Sequence, residues 1–350
     1  MRLERQIMLA QLETTIEYGL PEGYVLRGAA LNDLPEAVEM FNAYSRQLIG
    51  TDEVTLENYR HEWEVPILNL AEDVKVVVAP DGSIAGCQEV WDLFDPHTRV
   101  NTWGRVHPDH QGRGIATALL RWAEERACRA VPRAPKGTRV VLLNWINTMD
   151  TAAHEVMLRS GFDLIRHSYR MRIDLTEAPP APSWPEGIVL RAFDPDRDLE
   201  AVAWADREAF RDHWGFAERP FEQDVQMFRH WLGEPRFDAS LWFVAVHGDE
   251  VAGISLCDLR AEDDAGVGWV GSLGVLRSYR KQGLGLALLR HSFGELYRRG
   301  QRAVGLGVDA YNLTGALRLY EKAGMRVDRQ NNTYEKELRP GVELSTQSIA

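Results

Sequence analysis

The chain has 350 residues, of which 45% are hydrophobic and 26% charged, and its formal net charge at pH 7 is −12. This length suits two domains of ordinary size, and the composition is that of a globular protein with room for two hydrophobic cores. The acidic balance argues against nucleic acid as a partner, because a protein that binds phosphate backbones carries a basic face. No run of eighteen apolar residues is present, so no membrane span and no membrane partner is predicted.

The three cysteines, Cys87, Cys128 and Cys257, form no C-x-x-C pair. A sparse and odd count of cysteines predicts reduced thiols in a cytoplasmic protein. The charged N-terminus is not followed by an uninterrupted apolar core, so a signal peptide is not expected. Residues 1–20 are expected to form an added N-terminal extension, either a helix or a frayed tail.

Apolar runs separated by turn residues predict alternating strands and helices along residues 24–175. Asn32 and Asp33 before Pro35 are typical of a helix start, and Pro80-Asp81-Gly82 is typical of a hairpin. The predicted strands are Tyr24–Arg27, Val74–Ala79, Ile84–Leu93, Val100–Val106 and Val140–Leu143, with Phe162–Arg166 and Tyr169–Leu175 closing the sheet. The predicted helices are one that begins at Asn32, one at Thr55–Trp63, one that ends near Ala130 and one at Asp150–Ser160.

The composition changes at residues 176–187, which carry four prolines. Proline-rich segments are semi-rigid spacers that cannot lie in the centre of a sheet, so this segment is predicted to be a linker. The expected domains are residues 21–175 and 188–340 on either side of it, followed by a disordered tail at residues 341–350.

The second half repeats the order of elements in the first. The predicted strands are Ile188–Arg191, Leu241–Val246, Val251–Leu259, Trp269–Val275, Ala303–Val308 and a final pair that ends near Leu338. The predicted helices are Leu199–Arg211, Pro220–Trp231, one that follows Gly283 and one at Asn312–Ala323.

A basic, glycine-rich turn follows the predicted strand Trp269–Val275 and precedes apolar residues at helical spacing. Its pattern is Arg280-x-x-Gly283-x-Gly285. The first turn of a helix has unpaired N–H groups and the positive end of the helix dipole, and glycines let the backbone approach an anion. Since Arg280 and Lys281 add positive charge, the turn predicts a phosphate site. It is neither a Walker loop nor a dinucleotide-binding fingerprint.

The same turn occurs in the first half as Gln111-x-x-Gly114-x-Ala116, where Gly114 aligns with Gly283. The register continues downstream, with a small deletion, to Gly161 and Gly324. The chain is therefore interpreted as a duplication of one domain.

The two turns and a later segment of the second half resemble the GNAT superfamily of N-acetyltransferases. In the later segment Asn312 ends a strand, Ala316 and Tyr320 follow at four-residue spacing, and Gly324 precedes an apolar residue. The resemblance covers about residues 24–338. It implies an α/β (α+β) fold of two tandem GNAT-type domains, each a mixed, mostly antiparallel sheet flanked by helices. It also implies acetyl-CoA as co-substrate and no metal.

The resemblance assigns the pyrophosphate of acetyl-CoA to the two turns. The backbone of Leu273, Gly274 and Val275 would bind the pantetheine arm as an added strand, and a bulge near Leu273–Gly274 would free an N–H for the thioester carbonyl. Asn312 would hold the pantetheine arm or cap a helix. The turn residues assigned in this way are Arg280, Lys281, Gln282, Gly283, Leu284, Gly285 and Leu286, and in the first half Gln111, Gly112, Arg113, Gly114, Ile115 and Ala116.

Acyl transfer to an amine needs a base, because an alkylamine with a pKa of about 10.4 costs about 4 to 5 kcal/mol to deprotonate at neutral pH. The predicted base is Asp258, and the following turn, Glu262–Asp264, is either an alternative source of the base or a solvated turn. By resemblance, Tyr320 is the partner of the departing thiolate. The loop that contains His213 and Trp214 is predicted either to line the acceptor pocket or to belong to the core.

The first half departs from the pattern, since Met157 replaces Tyr320 and Met149 replaces Asn312. It is expected to bind acyl-CoA without turnover or to be only structural. The second half is predicted to move an acetyl group from acetyl-CoA to an amine of a small molecule. A peptide or protein amine as acceptor, or a non-catalytic acyl-CoA sensor, are the alternatives. The sequence is compatible with a monomer or a homodimer.

Overall fold

A computed structural model of the chain describes residues 18–312 and 315–348. Most of the extension expected at residues 1–20 therefore lies outside the described residues. The chain forms two compact units. Of the described residues, 18–165 and 332–343 make the first, and 166–312, 315–331 and 344–348 make the second. In the described ranges, no helix is long and apolar enough to cross a membrane.

The first unit contains a mixed sheet with helices on both faces. Strands β1 to β4 pair antiparallel, and β4 pairs parallel to β5 over three residue pairs. The strands are β1 Val25–Gly28, β2 Val74–Val78, β3 Ile84–Trp91, β4 Arg99–Val106 and β5 Val140–Asn147. The helices are α1 Leu34–Ile49, α2 Leu56–Trp63, α3 Leu70–Asp73, α4 Ile115–Cys128 and α5 Thr151–Arg159.

Helical spacing of apolar residues decides which face of each helix is buried in this unit. Helix α1 buries Leu34, Val38 and Phe41 against one face of the sheet, and α4 buries Leu119 and Trp122 against the other. Residues three and four apart lie on the same side of a helix, so each helix covers the sheet with one apolar stripe. The mixed fold class and the tandem arrangement predicted from the sequence are confirmed.

The second unit has the same order of elements. Its strands from β7 to β10 pair antiparallel, β10 pairs parallel to β11, and β11 pairs antiparallel to β6. The remaining strands of the chain are β6 Asp163–Asp174, β7 Ile188–Ala192, β8 Trp242–His247, β9 Glu250–Asp258, β10 Val267–Val275, β11 Ala303–Asp309 and β12 Arg326–Arg339. The remaining helices are α6 Pro195–Phe210, α7 Phe221–Leu232, α8 Leu284–Arg298 and α9 Ala316–Lys322.

The two halves of the chain exchange their last strands. The sequence predicts that Tyr169–Leu175 closes the sheet of the first half, but β6 is one continuous strand whose residues 168–174 pair with β11 in the second unit. In return, residues 332–343 belong to the first unit, where Arg139 forms ion pairs with Glu335 and Glu337. The compact units thus divide the chain at residue 165, ahead of the linker predicted at 176–187.

The segment predicted to be a linker has no regular secondary structure, as expected, whereas the segment predicted to be a disordered tail is held by backbone hydrogen bonds. Residues 176–187 form no helix or strand, and Trp184 packs against Ala245 and Leu288. The prediction of a disordered tail is wrong for the described residues up to 348. The Val342 N–H donates to Gly137 O at 2.9 Å, and the Thr346 N–H donates to Phe216 O at 2.8 Å. These backbone hydrogen bonds order a segment whose polar sequence predicted disorder.

Candidate active site

The glycine-rich turns of the two units share one backbone conformation. Between β10 and α8, Lys281 and Gly283 have φ values of 63° and 91°, and in the first unit Gly112 and Gly114 have 73° and 83°. Each helix begins at the next residue, so its first N–H groups, which have no intrahelical partner, lie at the turn. Such a turn can bind an anion such as a pyrophosphate.

The side chain of Arg280 contacts protein groups of the strand before the turn and of helix α6. Its guanidinium donates to Val275 O and Ala209 O at 3.0 Å each and pairs with the Asp212 carboxylate at 2.6 Å. Hydrogen bonding to Arg280 lowers the pKa of Asp212. Arg280 therefore binds the turn to the end of α6, where Asp212 also pairs with Arg277. Lys281 is exposed and forms no ion pair with any described residue, so it adds a positive charge to this turn.

Close packing explains the second glycine of the motif. A Cβ on Gly285 would lie 3.1 Å from Leu319 Cδ2 in α9, so a larger residue would push the two helices apart. Leu284 is buried in the core, and Gln282 Nε2 donates to Ser278 O within the turn. The apolar positions of the motif thus hold the helix in place, while its backbone is left for a ligand.

Strands β10 and β11 diverge beside this turn. They pair only from Val267 to Trp269 on β10, opposite Ala303 to Gly305 on β11. Beyond Trp269, the backbone of β10 has a ladder partner in β9 on one side and none among the described strands on the other. An extended ligand can pair with the free side as an added strand, which is the place predicted for Leu273 and Val275.

The predicted bulge is present but lies nearer the start of the strand. Val270 pairs with Cys257 and Ser272 with Leu256, so Gly271 is the extra residue, and not Leu273–Gly274 as predicted. In the first unit the pairing of β3 with β4 runs without a shift. A bulge frees backbone groups from the ladder, and of these two pairs of strands only β9 and β10 have one.

Tyr320 lies on α9 with 7% of its surface exposed, and burial raises its pKa to about 12. Its hydroxyl makes no hydrogen bond with any described residue, so it can donate to a ligand. Asn312 precedes this helix, and its Oδ1 accepts a hydrogen bond from Ala316 N at 3.1 Å. Asn312 thus satisfies the first N–H of the helix, although the N-cap residue is Gly315, and its predicted contact with the pantetheine arm stays a prediction.

Two half-buried carboxyl groups flank the bulge, and the sequence indicated only one. Asp258 ends β9, and its Oδ2 lies 3.9 Å from the position a Cβ would take on Gly271. Asp206 lies on α6 and accepts a hydrogen bond from Ser272 Oγ. Burial raises the pKa of each carboxyl to about 6. One feature of the sequence could have predicted that Asp206 is buried: it lies four residues after Val202, on the apolar stripe of α6.

The acidic turn after β9 is ion-paired rather than free. Asp263 pairs with Arg329 at 2.7 Å and also with Arg170. Burial acts to raise the pKa of Asp263, but the hydrogen bond from Arg170 acts in the opposite direction, and the pKa is lowered. Glu262 pairs with Arg236, and Asp264 Oδ1 accepts from Gly266 N. These contacts leave Asp258 as the carboxyl of this region that faces the bulge.

The predicted acceptor loop follows α6. The His213 and Phe210 rings lie 4.5 Å apart, and burial lowers the pKa of His213. Trp214 Nε1 donates to Gln347 Oε1 at 2.8 Å, and the guanidinium of Arg166 lies 4.8 Å from the Trp214 ring. Arg166 also pairs with Asp309 at the end of β11, so Trp214 lies near the end of the diverging strand.

The first unit keeps the turn but not the rest of the site. Met157 is buried in the core and Met149 is exposed. Arg105, which aligns with Gly274, has only 10% of its side chain exposed, stacks on Tyr44 and Trp103 and pairs with Glu53. A cavity of about 620 Å³ lies beside the turn. Its lining residues are Pro21, Glu22, Tyr24, Ala79, Pro80, Asp81, His110 and Arg113.

Family models match both halves of the chain. The acetyltransferase (GNAT) family matches residues 199–325, and an acetyltransferase (GNAT) domain matches residues 72–163. The crystal structure of a GCN5-related N-acetyltransferase from Sphaerobacter thermophilus is 35% identical, with a TM-score of 0.77 over 94% of this chain and 100% of that one. A tandem GNAT protein from the clavulanic acid biosynthesis pathway has a TM-score of 0.70 at 16% identity, over 91% of this chain and 99% of that one, and it supports the fold alone.

The chain belongs to the GNAT family of acetyltransferases and is an acetyl-CoA-dependent N-acetyltransferase with two tandem domains. Its similar curated relatives include mycothiol acetyltransferases. That of Thermobispora bispora is 33% identical over 227 residues, which are 63% of this chain and 70% of that protein. That of Salinispora arenicola is 31% identical over 256 residues, or 71% of this chain and 76% of that protein. In the part of the chain that the structure describes, no group of three or more His, Cys, Asp or Glu side chains could hold a metal ion.

Proposed function

We propose that this small-molecule N-acetyltransferase carries out its chemistry in the second unit. The observation that carries this proposal is the combination, in one place, of a bulged strand, a diverging neighbour strand and the unpartnered hydroxyl of Tyr320. In the first unit the corresponding strand has no bulge, and Met157 stands at the place of Tyr320.

Acetyl-CoA binds with its pyrophosphate at the first turn of α8. The N–H groups that follow Gly283 face the anion, and Lys281 supplies charge. The pantetheine arm lies along the free side of Leu273–Val275, which directs the thioester towards the bulge at Gly271. A backbone N–H freed there donates to the carbonyl oxygen as negative charge develops on it.

The acceptor amine forms a bond to the carbonyl carbon, and the carbon–sulfur bond breaks. Asp258 takes the proton from the amine, directly or through water. Tyr320 donates a hydrogen bond to the departing thiolate. Since the pKa of Tyr320 is about 12 and that of a thiol is about 8.5, full proton transfer would cost roughly 5 kcal/mol. Tyr320 therefore stabilises the thiolate without protonating it.

The first unit has a different role. Its turn, Gln111–Ala116, retains the conformation that binds an anion, and Arg105 occupies the place of Gly274. It binds acyl-CoA without turnover, or it serves only as a structural partner. Calorimetry with acetyl-CoA on Arg113→Glu and Lys281→Glu variants distinguishes the two, because a second site would be lost only in the Arg113 variant.

The acceptor is a primary amine of a small molecule. Similar proteins are named mycothiol acetyltransferases, which supports a small-molecule amine as the acceptor. A peptide or protein amine is the alternative, and the cytoplasmic location stays a prediction.

A thiol-release assay tests the proposal. Acetyl-CoA is offered with aminoglycosides, polyamines, amino acids and a cysteinyl pseudodisaccharide, and amine-dependent release identifies the acceptor class. We expect Tyr320→Phe to lower the rate at least tenfold, because the thiolate loses its donor. Tyr297→Phe, which changes another tyrosine of the same core, should leave the rate unchanged. Full activity in the Tyr320 variant would place the chemistry elsewhere.

A further inference from the structure

Asp206 is a carboxyl group for which the reaction described above has no use. It lies on the stripe of α6 that buries Val202 and Ala209, and it is half-buried between that helix and β10. Its Oδ1 accepts a hydrogen bond from Ser272 Oγ, and it forms no ion pair with any described residue. A carboxylate in such a crowded place is costly unless a cation or donors approach it.

The charged groups nearest to Asp206 neutralise one another. Asp224 on α7 acts to raise the pKa of Asp206, and Arg219 acts to lower it. Arg219 is itself bound to Asp224 at 2.6 Å, and Arg207 binds the other oxygen of Asp224 at 2.6 Å. Both arginines are therefore paired with Asp224, and no ion pair joins Asp206 to a cation in the described part of the chain.

Asp206 and Asp258 converge on the same side of the bulge. Ile254 and Leu256 on β9 contact helices α6 and α7 in one core cluster, and side chains two residues apart on a strand point to the same face. Asp258 therefore faces the same helices as Leu256. Asp258 lies next to Gly271, and Asp206 is hydrogen-bonded to Ser272, the following residue. The two carboxyl groups therefore lie beside consecutive residues of β10.

We propose that Ser272 and Asp206 form the subsite that binds the acceptor as an ammonium cation. This inference rests on the proposed function of the second unit. Asp206 holds the Ser272 hydroxyl as a donor, which leaves the Oγ lone pairs free to accept a hydrogen bond from the ammonium group. The carboxylate balances the positive charge of the acceptor, and Asp258 then takes the proton. Asp206 is thus a positioning residue, and the acceptor class is a cationic alkylamine.

The test compares a charged and an uncharged acceptor with the full-length chain. The charged probe is the alkylamine with the highest kcat/KM in the amine panel, and the uncharged probe is hydroxylamine, which is neutral at pH 7.5. We expect Asp206→Asn to raise KM for the alkylamine at least tenfold, with kcat changed less than threefold and KM for acetyl-CoA unchanged. Kinetics with hydroxylamine should be unaffected, because its attack needs no counter-charge.

Further variants separate positioning from folding. Ser272→Ala should shift KM in the same direction as Asp206→Asn, and Ser272→Thr, which keeps the hydroxyl, should restore it. Glu200→Gln, an exposed position on the same helix, is the matched control and should behave as the wild type. Equal losses with both acceptors, or a fall in kcat at constant KM, would overturn the inference. Full activity in Tyr320→Phe would overturn the proposed function. If Tyr320→Phe is inactive and Asp206→Asn has wild-type kinetics, the proposed function stands and only the ammonium subsite is overturned.

Discussion

Asp258 lies at the end of β9, where burial raises the pKa of its carboxyl to about 6. A base must be ionised to accept a proton, so kcat/KM should fall as the pH drops below about 6. We expect Asp258→Asn to lower kcat about 100- to 10,000-fold and to abolish this acid limb of the pH profile. Initial rates between pH 5 and 8 measure both effects.

Asp264→Asn is the control for this prediction, because Asp264 belongs to the neighbouring acidic turn and its Oδ1 accepts from Gly266 N. Its pH profile should match that of the wild type. An acid limb that persists in Asp258→Asn would assign the ionisation to another group, and Asp206 is the first to examine.

Single residues could be proposed where a motif or a neighbouring strand indicates their place. Tyr320 was proposed from the resemblance of its motif and Asp258 from its place on the strand before β10, and both roles stay predictions. The ion pair of Arg280 with Asp212 was not predicted, because the two residues are remote in sequence and nothing local shows that the pair forms. Asp206 was missed because a carboxylate on an amphipathic helix is usually exposed, and its burial depends on a strand that packs across it.

At the scale of elements, the turn before α8 depends on Gly283, whose φ of 91° is costly for any other residue. Gly283→Ala should destabilise the fold by about 1 to 2 kcal/mol. Because relief of this backbone strain would also displace the N–H groups of the first turn of the helix, KM for acetyl-CoA should rise about tenfold. Thermal unfolding and initial rates measure the two effects.

Gly300→Ala is a matched control, since Gly300 ends the same helix with a φ of 97° and open space at its Cβ position. It should lose similar stability and keep its affinity for acetyl-CoA. If both variants raised KM equally, general loosening of the helix would explain the result and the turn would have no special part in binding.

The chain end is a second element with an expected effect. The Thr346 N–H donates to Phe216 O and the Gly215 N–H to Thr346 O, so residues 344–348 clamp the loop that contains Trp214. Thr346→Pro removes this donor. We expect KM for the acceptor to rise about three- to tenfold, with KM for acetyl-CoA unchanged.

Thr346→Ala, which loses only the Oγ bond to Arg211 O, should have kinetics close to the wild type. Unchanged acceptor kinetics in the proline variant would show that the clamp has no influence on the site.

The sequence predicted the strands and helices of this region from periodicity. It did not predict the clamp, because a two-residue backbone pairing involves no side-chain pattern.

At the scale of the whole molecule, the exchange of β6 and β12 makes each unit depend on both halves of the chain. A fragment of residues 188–350 lacks the segment 168–174 that pairs with all of β11. We expect this fragment alone to be inactive, and co-expression with residues 1–187 to restore most of the activity. A full-length chain cut at a protease site inserted in the linker should also stay active.

Gel filtration of the cut chain supplies the control, because the two fragments should elute together without denaturant. Activity of residues 188–350 alone would contradict the dependence on β6.

The repeated motif and its register predicted two domains of one fold, and this is confirmed. The exchange of last strands was not predicted, because the sequence of a strand does not by itself name the sheet that the strand joins. Which edge a strand joins is decided by tertiary contacts, such as the burial of Met171 beside Val304 and Leu306 in the second unit.

The exchange of strands also bears on how such a gene can change with time. After a duplication, a copy that no longer performs chemistry is normally free to decay or to be deleted. Here the first half supplies β6, the partner of β11, to the half that we propose to be catalytic. If the first half performs no chemistry, as we propose, selection on the enzyme therefore still preserves the strand that it supplies, and a shortened gene would have to evolve a new last strand before it could encode a working protein.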